Sequence, residues 1–260
     1  MNWINALAGF GVGLMVGITG VGGGSLMTPL LVWVFGIAPA TAVGTDLWFA
    51  AITKLVGGAV HHTRGSVDRE VLGRLLLGSL PASVLTLLWL HTAHVAQARH
   101  GLILNALGVV IVLTAVAMVF RKRVHALGQN VRNLAPFQFK RLQPPMTVLA
   151  GAILGFLVTL TSVGAGALGA VMLLYLYPFR MTPVRLVGTD IVHAIPLTIV
   201  AGSGHLLMGN VNLPLLGNLL IGSIPGIVLG SLLGHRIPEG MVRGAMALVL
   251  LAVGVKLIAG

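Results

Sequence analysis

VGTDLWFAAITKLVGGAVHHTRGSV, residues 43–67, returns 144 residues later as VGTDIVHAIPLTIVAGSGHLLMGNV, residues 187–211. The register starts at Pro39/Pro183 and runs on through Gly78/Gly222, Ser79/Ser223 and Pro81/Pro225. With a two-residue adjustment the opening stretches match too, at Gly9/Gly151, Gly13/Gly155, Thr19/Thr161, Gly22/Gly164 and Gly24/Gly166. The chain therefore reads as two copies of one unit, 1–120 and 146–260. They are joined by the polar segment RKRVHALGQNVRNLAPFQFKRLQPP, 121–145.

What the repeated unit is follows from composition. Hydrophobic residues make up 57% of the 260 and charged residues 8%, with a mean hydropathy of +1.01, which no water-soluble fold of this length requires. Apolar stretches near the length of a bilayer crossing recur at 41–61, 71–91, 101–120, 183–206, 213–234 and 241–259. About 20 helical residues span a membrane, so all six read as transmembrane helices. The amino terminus, MNWINALAGF, lacks the basic leader of a cleavable signal peptide. Having no cysteine, the chain offers neither disulfides nor thiolate ligands. The formal net charge of +11 does not indicate nucleic-acid binding, because the basic residues lie between apolar segments, where they orient helices.

Those basic residues also decide how the copies are related. With the joining segment in the cytoplasm and each of the six helices crossing once, 13 of the 16 Lys and Arg residues fall on the cytoplasmic side. The loop around 62–70, with Arg64 and Arg69, is then inside, while its mate LLMGNVNL, 206–213, is outside and uncharged. Equivalent loops facing opposite ways make the repeats inverted, as in many secondary transporters.

Inversion gives meaning to TGVGGGSLMTP, 19–29, and its mate around SVGAGA, 162–167. No lysine follows the glycines as a phosphate-binding P-loop requires, and the apolar flanks do not fit a dinucleotide βαβ unit. The arms after the glycines, 25–36 and 167–178, are about a dozen residues each, roughly 18 Å of helix, too short to cross. Each repeat is thus expected to open with a broken or re-entrant hairpin, its Gly-rich tip near the midplane, followed by three transmembrane helices. Backbone irregular at that depth is buried in protein or lines a polar cavity. Helix starts at Gly24 or Ser25 and at Gly166 or Ala167 direct free N–H groups and a positive dipole end inward, an anion site without a cationic side chain. Gly22, Gly23, Gly24, Ser25, Gly164 and Gly166 are the expected ligand contacts. Gly9, Gly13 and Gly17, spaced by four, read instead as helix-packing positions.

Ionisable groups within spans are costly and lean functional. Lys54 is the only lysine deep in any span and reads as a counter-charge for an anionic ligand; the alternative is a lysine paired with a neighbour or reaching an interface. Asp46 and Asp190 each follow Gly-Thr and are read as proton carriers, or as ordinary first-turn residues favoured by the helix dipole. His61 and His205 are proton-relay candidates or interfacial residues, and the role of His193 is open. Nothing resembles a catalytic constellation, a metal site or a cofactor motif. A small anionic substrate and the bilayer are the expected partners, with no nucleic acid, and a homo-oligomer is compatible with the sequence.

The ordered motifs GITGVGGGSLMTPLL, ATAVGTD, HHTRGSVD and GSLPAS, echoed by LVGTD, GHLLMGNV and GSIPGIVLG, resemble the sulfite exporter TauE/SafE family over essentially the whole chain. The resemblance implies a bacterial inner-membrane carrier, not an enzyme, for small sulfur-containing anions such as sulfite, sulfoacetate or other organosulfonates, driven by the proton or charge gradient. It puts weight on Gly22, Gly23, Gly24, Pro29, Gly44 and Thr45, and on Gly164, Gly166, Gly188 and Thr189. Two departures from the family pattern stand out: the second loop lacks a triple glycine and has Val171 opposite Pro29, and Asp46 and Asp190 stand where many members have serine. Another small organic anion, or a membrane scaffold without transport, are the alternative readings.

Overall fold

The computed structural model describes residues 3–19, 24–60, 67–92, 96–233 and 239–259, which are helical with short connections. In chain order the helices are α1 (Trp3–Thr19), α2 (Gly24–Trp33), α3 (Pro39–Val60), α4 (Arg69–Thr92), α5 (Ala96–Leu134), α6 (Pro136–Thr161), α7 (Ala167–Leu176), α8 (Pro183–Leu207), α9 (Leu213–Leu233) and α10 (Glu239–Ala259). Among the described residues, five stretches are long and apolar enough to cross a membrane: α4, α5 from Ile103, α6, α8 and α9. This is a multi-pass helical membrane protein. Apolar side chains such as Leu85, Leu113, Leu149, Ile221 and Leu248 are exposed on the outer faces of the helices, where lipid satisfies them.

Two further helices answer to expected spans: α3, 22 residues long, carries Asp46 and Lys54, which lower its apolarity, and α10 has 21 residues, with Gly244–Leu257 as its apolar stretch among the described residues. α6, expected as half of a short hairpin, has 26 residues and meets the length of a crossing. The arms after the Gly-rich loops, α2 and α7, have 10 residues each, about 15 Å. The joining segment is helical as well. α5 runs through it to Leu134, the chain breaks at Ala135 (φ −137°, ψ 66°) and Pro136 starts α6. A residue before proline is driven out of the helical region, while proline itself suits a first turn.

Glycines set the packing. α1 runs parallel to α9: a Cβ on Gly9, Gly13 or Gly17 would fall on the backbone of Leu219, Ser223 or Ile227, and one on Gly222, Gly226 or Gly230 on the backbone of α1. α6 runs parallel to α4 in the same manner, with Gly151 and Gly155 on the backbone of Leu75 and Ser79, and Gly78 on that of Val148. The expectation that Gly9, Gly13 and Gly17 serve close packing is met. Such approach is how membrane helices gain van der Waals contact where lipid removes the hydrophobic drive between them. The first helix of each half thus lies along the α4-type helix of the other half, so the halves interleave. α3 and α8, repeat mates in sequence, also pack on each other, but antiparallel: Gly44 meets His205 and Asn210, and Gly202 meets Leu47 and Trp48.

Candidate transport site

The antiparallel pair α3/α8 carries the buried polar residues. At each end of the pair a threonine ties it to the opposite half. Thr45 Oγ1 accepts from Asn212 N at 3.0 Å, and Thr189 Oγ1 accepts from Asp68 N at 3.0 Å. Asn212 and Asp68 are in turn N-caps, their Oδ1 atoms accepting from Leu215 N (3.0 Å) and Val71 N (3.2 Å), which satisfies N–H groups that α9 and α4 leave open. Thr45 and Thr189, weighted above for substrate, thus use their acceptor oxygens on the protein itself.

One residue further, each aspartate turns to the start of a short helix. Asp46 Oδ2 accepts from Thr28 N at 3.1 Å and from Thr28 Oγ1, in α2. Asp190 Oδ1 lies against Gly169 of α7, 2.9 Å from where a Cβ would stand. The positive ends of α2 and α7, which the sequence marks as anion sites, therefore face carboxylates of the chain itself. Sequence reasoning missed Thr28; the only signal for it was its place in the first turns after the glycines.

The second Gly-rich loop is described in full. Ser162 takes the left-handed conformation (φ 58°) and Gly164 a φ of 119°, which together reverse the chain between α6 and α7. Gly164 O and Gly166 O then accept from Gly169 N and Ala170 N, both at 3.1 Å. All five residues 162–166 are buried, as irregular backbone within a bilayer must be. Ala165 belongs to the apolar cluster of Val43, Leu47, Ala194 and Leu197 where α3 and α8 meet, and Ser162 lies within reach of Asp46. In the first loop, Gly22 and Gly23 lie outside the described residues, as does His61. Gly24 and Ser25 form the first turn of α2.

Lys54 sits in the second half of α3, 4% exposed, with no hydrogen-bond partner for its ammonium among the described residues. It lies within Coulombic reach of Asp190 first and Asp46 second, and of His193. Asp46 is about 12 Å away along the helix. His193, 1% exposed, bonds Ser79 Oγ at 2.9 Å through Nε2 and leaves Nδ1 unpartnered. His205 bonds Thr159 O at 2.9 Å through Nε2, and its Nδ1 is likewise unpartnered. Asp46 Oδ1 and Ser162 Oγ make no hydrogen bond of acceptable geometry. Buried polar atoms are ordinarily paired, and charges inside a membrane are kept where they function. Among the described residues, such atoms recur on α3, α8 and the second Gly-rich loop. No group of three or more metal-ligating side chains occurs among the described residues.

Comparison with known proteins places these features in a lineage. The family model described as sulfite exporter TauE/SafE matches residues 5–257. The chain is 41% identical over 254 residues to the probable membrane transporter protein YjnA of Bacillus subtilis, covering 97% of this chain and 98% of that one. It is 24% identical over 204 residues to a probable membrane transporter protein of Methanocaldococcus jannaschii, covering 75% and 68%. No solved structure matches.

Proposed function

The chain belongs to the sulfite exporter TauE/SafE family of membrane transporters, and from that premise we propose that it is a secondary carrier of a small sulfur-containing anion across the bacterial inner membrane. One observation carries the reading: a buried lysine, without a hydrogen-bond partner among the described residues, between two buried aspartates where α3 and α8 cross. Buried charges persist when paired, and Lys54 is the cation that a transported sulfite, sulfoacetate or other organosulfonate would pair with. Gly24, Ser25, Gly164 and Gly166, at the starts of α2 and α7, are the proposed backbone N–H donors to the same anion, as are Gly22 and Gly23 from the sequence, and Thr45 and Thr189 hold the ends of the crossing.

Coupling to the proton gradient follows from the place of the aspartates. Charged, Asp46 and Asp190 act as internal anions at the starts of α2 and α7; on taking a proton each gives up that place to an anion from solution. Proton and anion then travel together. His205, beside Thr159, and His61 are the relay candidates that serve these carboxylates. The inverted repeat is supported by the antiparallel course of the mates α3 and α8, which sets 67–70 and 209–212 at opposite ends of the pair. The basic ends around Arg69, Arg74, Arg180 and Arg185 fall on the cytoplasmic side.

The test is flux of labelled sulfite or sulfoacetate into liposomes holding the purified protein, with and without an imposed pH gradient. Uptake that rises with the gradient is expected. No flux for any sulfur oxyanion with intact protein in both orientations would turn the reading to another organic anion or to a scaffold. Reporters fused at 121–145 and 64–70 should read cytoplasmic and one at 209–212 external; the last two on one side would end the inverted repeat.

A further inference from the structure

Matching places in the two halves of the α3/α8 crossing are filled differently. At the 144-residue register Lys54 answers to Thr198, His193 to Phe49 and Ser79 to Ser223. In one place Thr198 Oγ1 donates to its own helix at Ala194 O, 2.8 Å, Ser223 Oγ turns back to Leu220 O, 3.4 Å, and Phe49 is wholly buried. Both hydroxyl protons are thus spent within their own helices. In the other place Ser79 reaches out of α4 to His193 Nε2, and among the described residues neither His193 Nδ1 nor Lys54 Nζ has a hydrogen-bond partner, at 1% and 4% exposure. The α4 backbone that carries Ser79 is fixed by the close approach of Gly155 on α6, and α8 carries Pro196 inside the helix one turn after His193.

We propose that Lys54 and His193 together form the seat of the transported anion, set off the centre of the repeat on one side of the α3/α8 crossing, with Ser79 as its positioning residue. With Ser79 Oγ as the donor to Nε2, the tautomer this seat requires, the imidazole proton stays on Nδ1 and the ring presents a donor within Coulombic reach of the ammonium. An ammonium and an N–H, both donors, match a small oxyanion that offers several acceptor oxygens in one plane or tetrahedron. The apolar mate, with Phe49 in place of the imidazole, does not. Other charged or titratable groups around the seat are Asp46, Asp190 and, beside Asp190, Arg121. The seat rests on the carrier reading above and adds to it a named donor and an off-centre location.

Thermal unfolding of the purified full chain in detergent, titrated with sulfite, sulfate, nitrate and acetate, tests it, because a ligand that binds only the folded state raises the midpoint. At least one oxyanion should stabilise the wild-type protein. His193→Gln should need about tenfold more of that anion for the same rise, with its anion-free midpoint within about 2 °C of wild type. Ser79→Ala, which keeps the imidazole but frees its tautomer, should need roughly threefold more. If His193→Gln does not fold, Ser79→Ala decides by the same measure. Unchanged anion dependence in the folded variants, or no stabilisation of the wild type by any of the four anions, overturns the seat. Liposome flux separates this from the carrier reading: sulfite transport with an unaltered half-saturating concentration in His193→Gln keeps the carrier and removes the seat. Anion stabilisation lost in His193→Gln without sulfite flux in the wild type keeps the seat and removes the sulfur substrate.

Discussion

The two ends of the α3/α8 pair share a scaffold and differ in what locks it. At the Asn212 end, Thr45 holds Asn212, Asn212 caps α9, and among the described residues no ion pair reaches the joint. At the Asp68 end, Thr189 holds Asp68 and Asp68 caps α4 in the same way, but Arg180 also grips Asp68 through two bonds of 2.5 and 2.7 Å and Glu70 through one of 2.8 Å. Arg74 pairs with Glu70 and donates to Tyr177 Oη at 3.1 Å, and Tyr177 meets Thr147 at 2.8 Å. The helical joining segment braces the same corner, with His125 on Pro178 O at 2.9 Å and Gln143 on Leu176 O at 2.6 Å. The residues that make the difference are few: Asn212 answers to Asp68, Pro214 to Glu70 and Gly36 to Arg180 in the repeat register. A symmetric frame becomes a directional one by charging one of its two ends.

Breaking what the ends share should have the largest effect. Gly155→Val sets a branched side chain on the backbone of Ser79, and Gly13→Val does so on Ser223. With no room for either, folded protein recovered from membranes should fall several-fold for both, measured by size-exclusion chromatography of the detergent extract. Gly11→Val, which meets nothing within 4 Å, should leave the yield unchanged. Equal loss for all three would show that the close approach of α1 to α9 and of α6 to α4 is not what stabilises the frame.

Next comes the centre between the ends. Lys54→Gln removes the cation and keeps the length, and should weaken anion binding about 100-fold, ~2.7 kcal/mol, in the thermal titration. Asp46→Asn retains an acceptor for Thr28 but carries no proton to exchange. It should bind the anion as before and lose its response to an imposed pH gradient in liposomes, and Asp190→Asn should match it if the two ends couple alike. Retained gradient dependence in both would leave the carboxylates as helix-start residues, and a difference between the two would show that only one end couples.

The smallest effects separate the ends themselves. Arg180→Ala strips a mostly buried carboxylate, Asp68, of its charged donor, a loss of about 2 kcal/mol at the scale of hydrogen bonds to charged groups. Asn212→Ala removes only an N-cap, about 1 kcal/mol. Midpoints of thermal unfolding should therefore fall further for Arg180→Ala. The reverse order would mean that the charged corner adds no strength to its end.

The glycine spacing that packs α1 on α9 and α6 on α4 was legible in the sequence, because a residue without a side chain every fourth position has few other uses in a membrane helix. So was the shortness of α2 and α7, since ten residues limit a helix to about 15 Å. Lys54 was legible for a similar reason: a lysine deep in an apolar stretch is costly wherever it falls. Thr28, Ser79 and the Arg180 corner were not, because threonine, serine and a loop arginine are ordinary in those settings and acquire a role only through a partner 18, 114 or 112 residues away. The helical course of 121–145 escaped the sequence reading as well, its polarity resembling a loop until its contacts with 175–178 gave it a surface to pack on.

By itself the sequence determined that this is a helical membrane protein of two related halves, since hydrophobic run length, charge placement and a 144-residue register are properties of the chain in any conformation. Only the tertiary structure decided which polar residues share a place. Interleaved halves bring α3 onto α8 and α4 onto both α6 and α8, so that Ser79 of α4 meets His193 of α8 with Lys54 of α3 in Coulombic reach, in a buried region where an unpaired donor is costly.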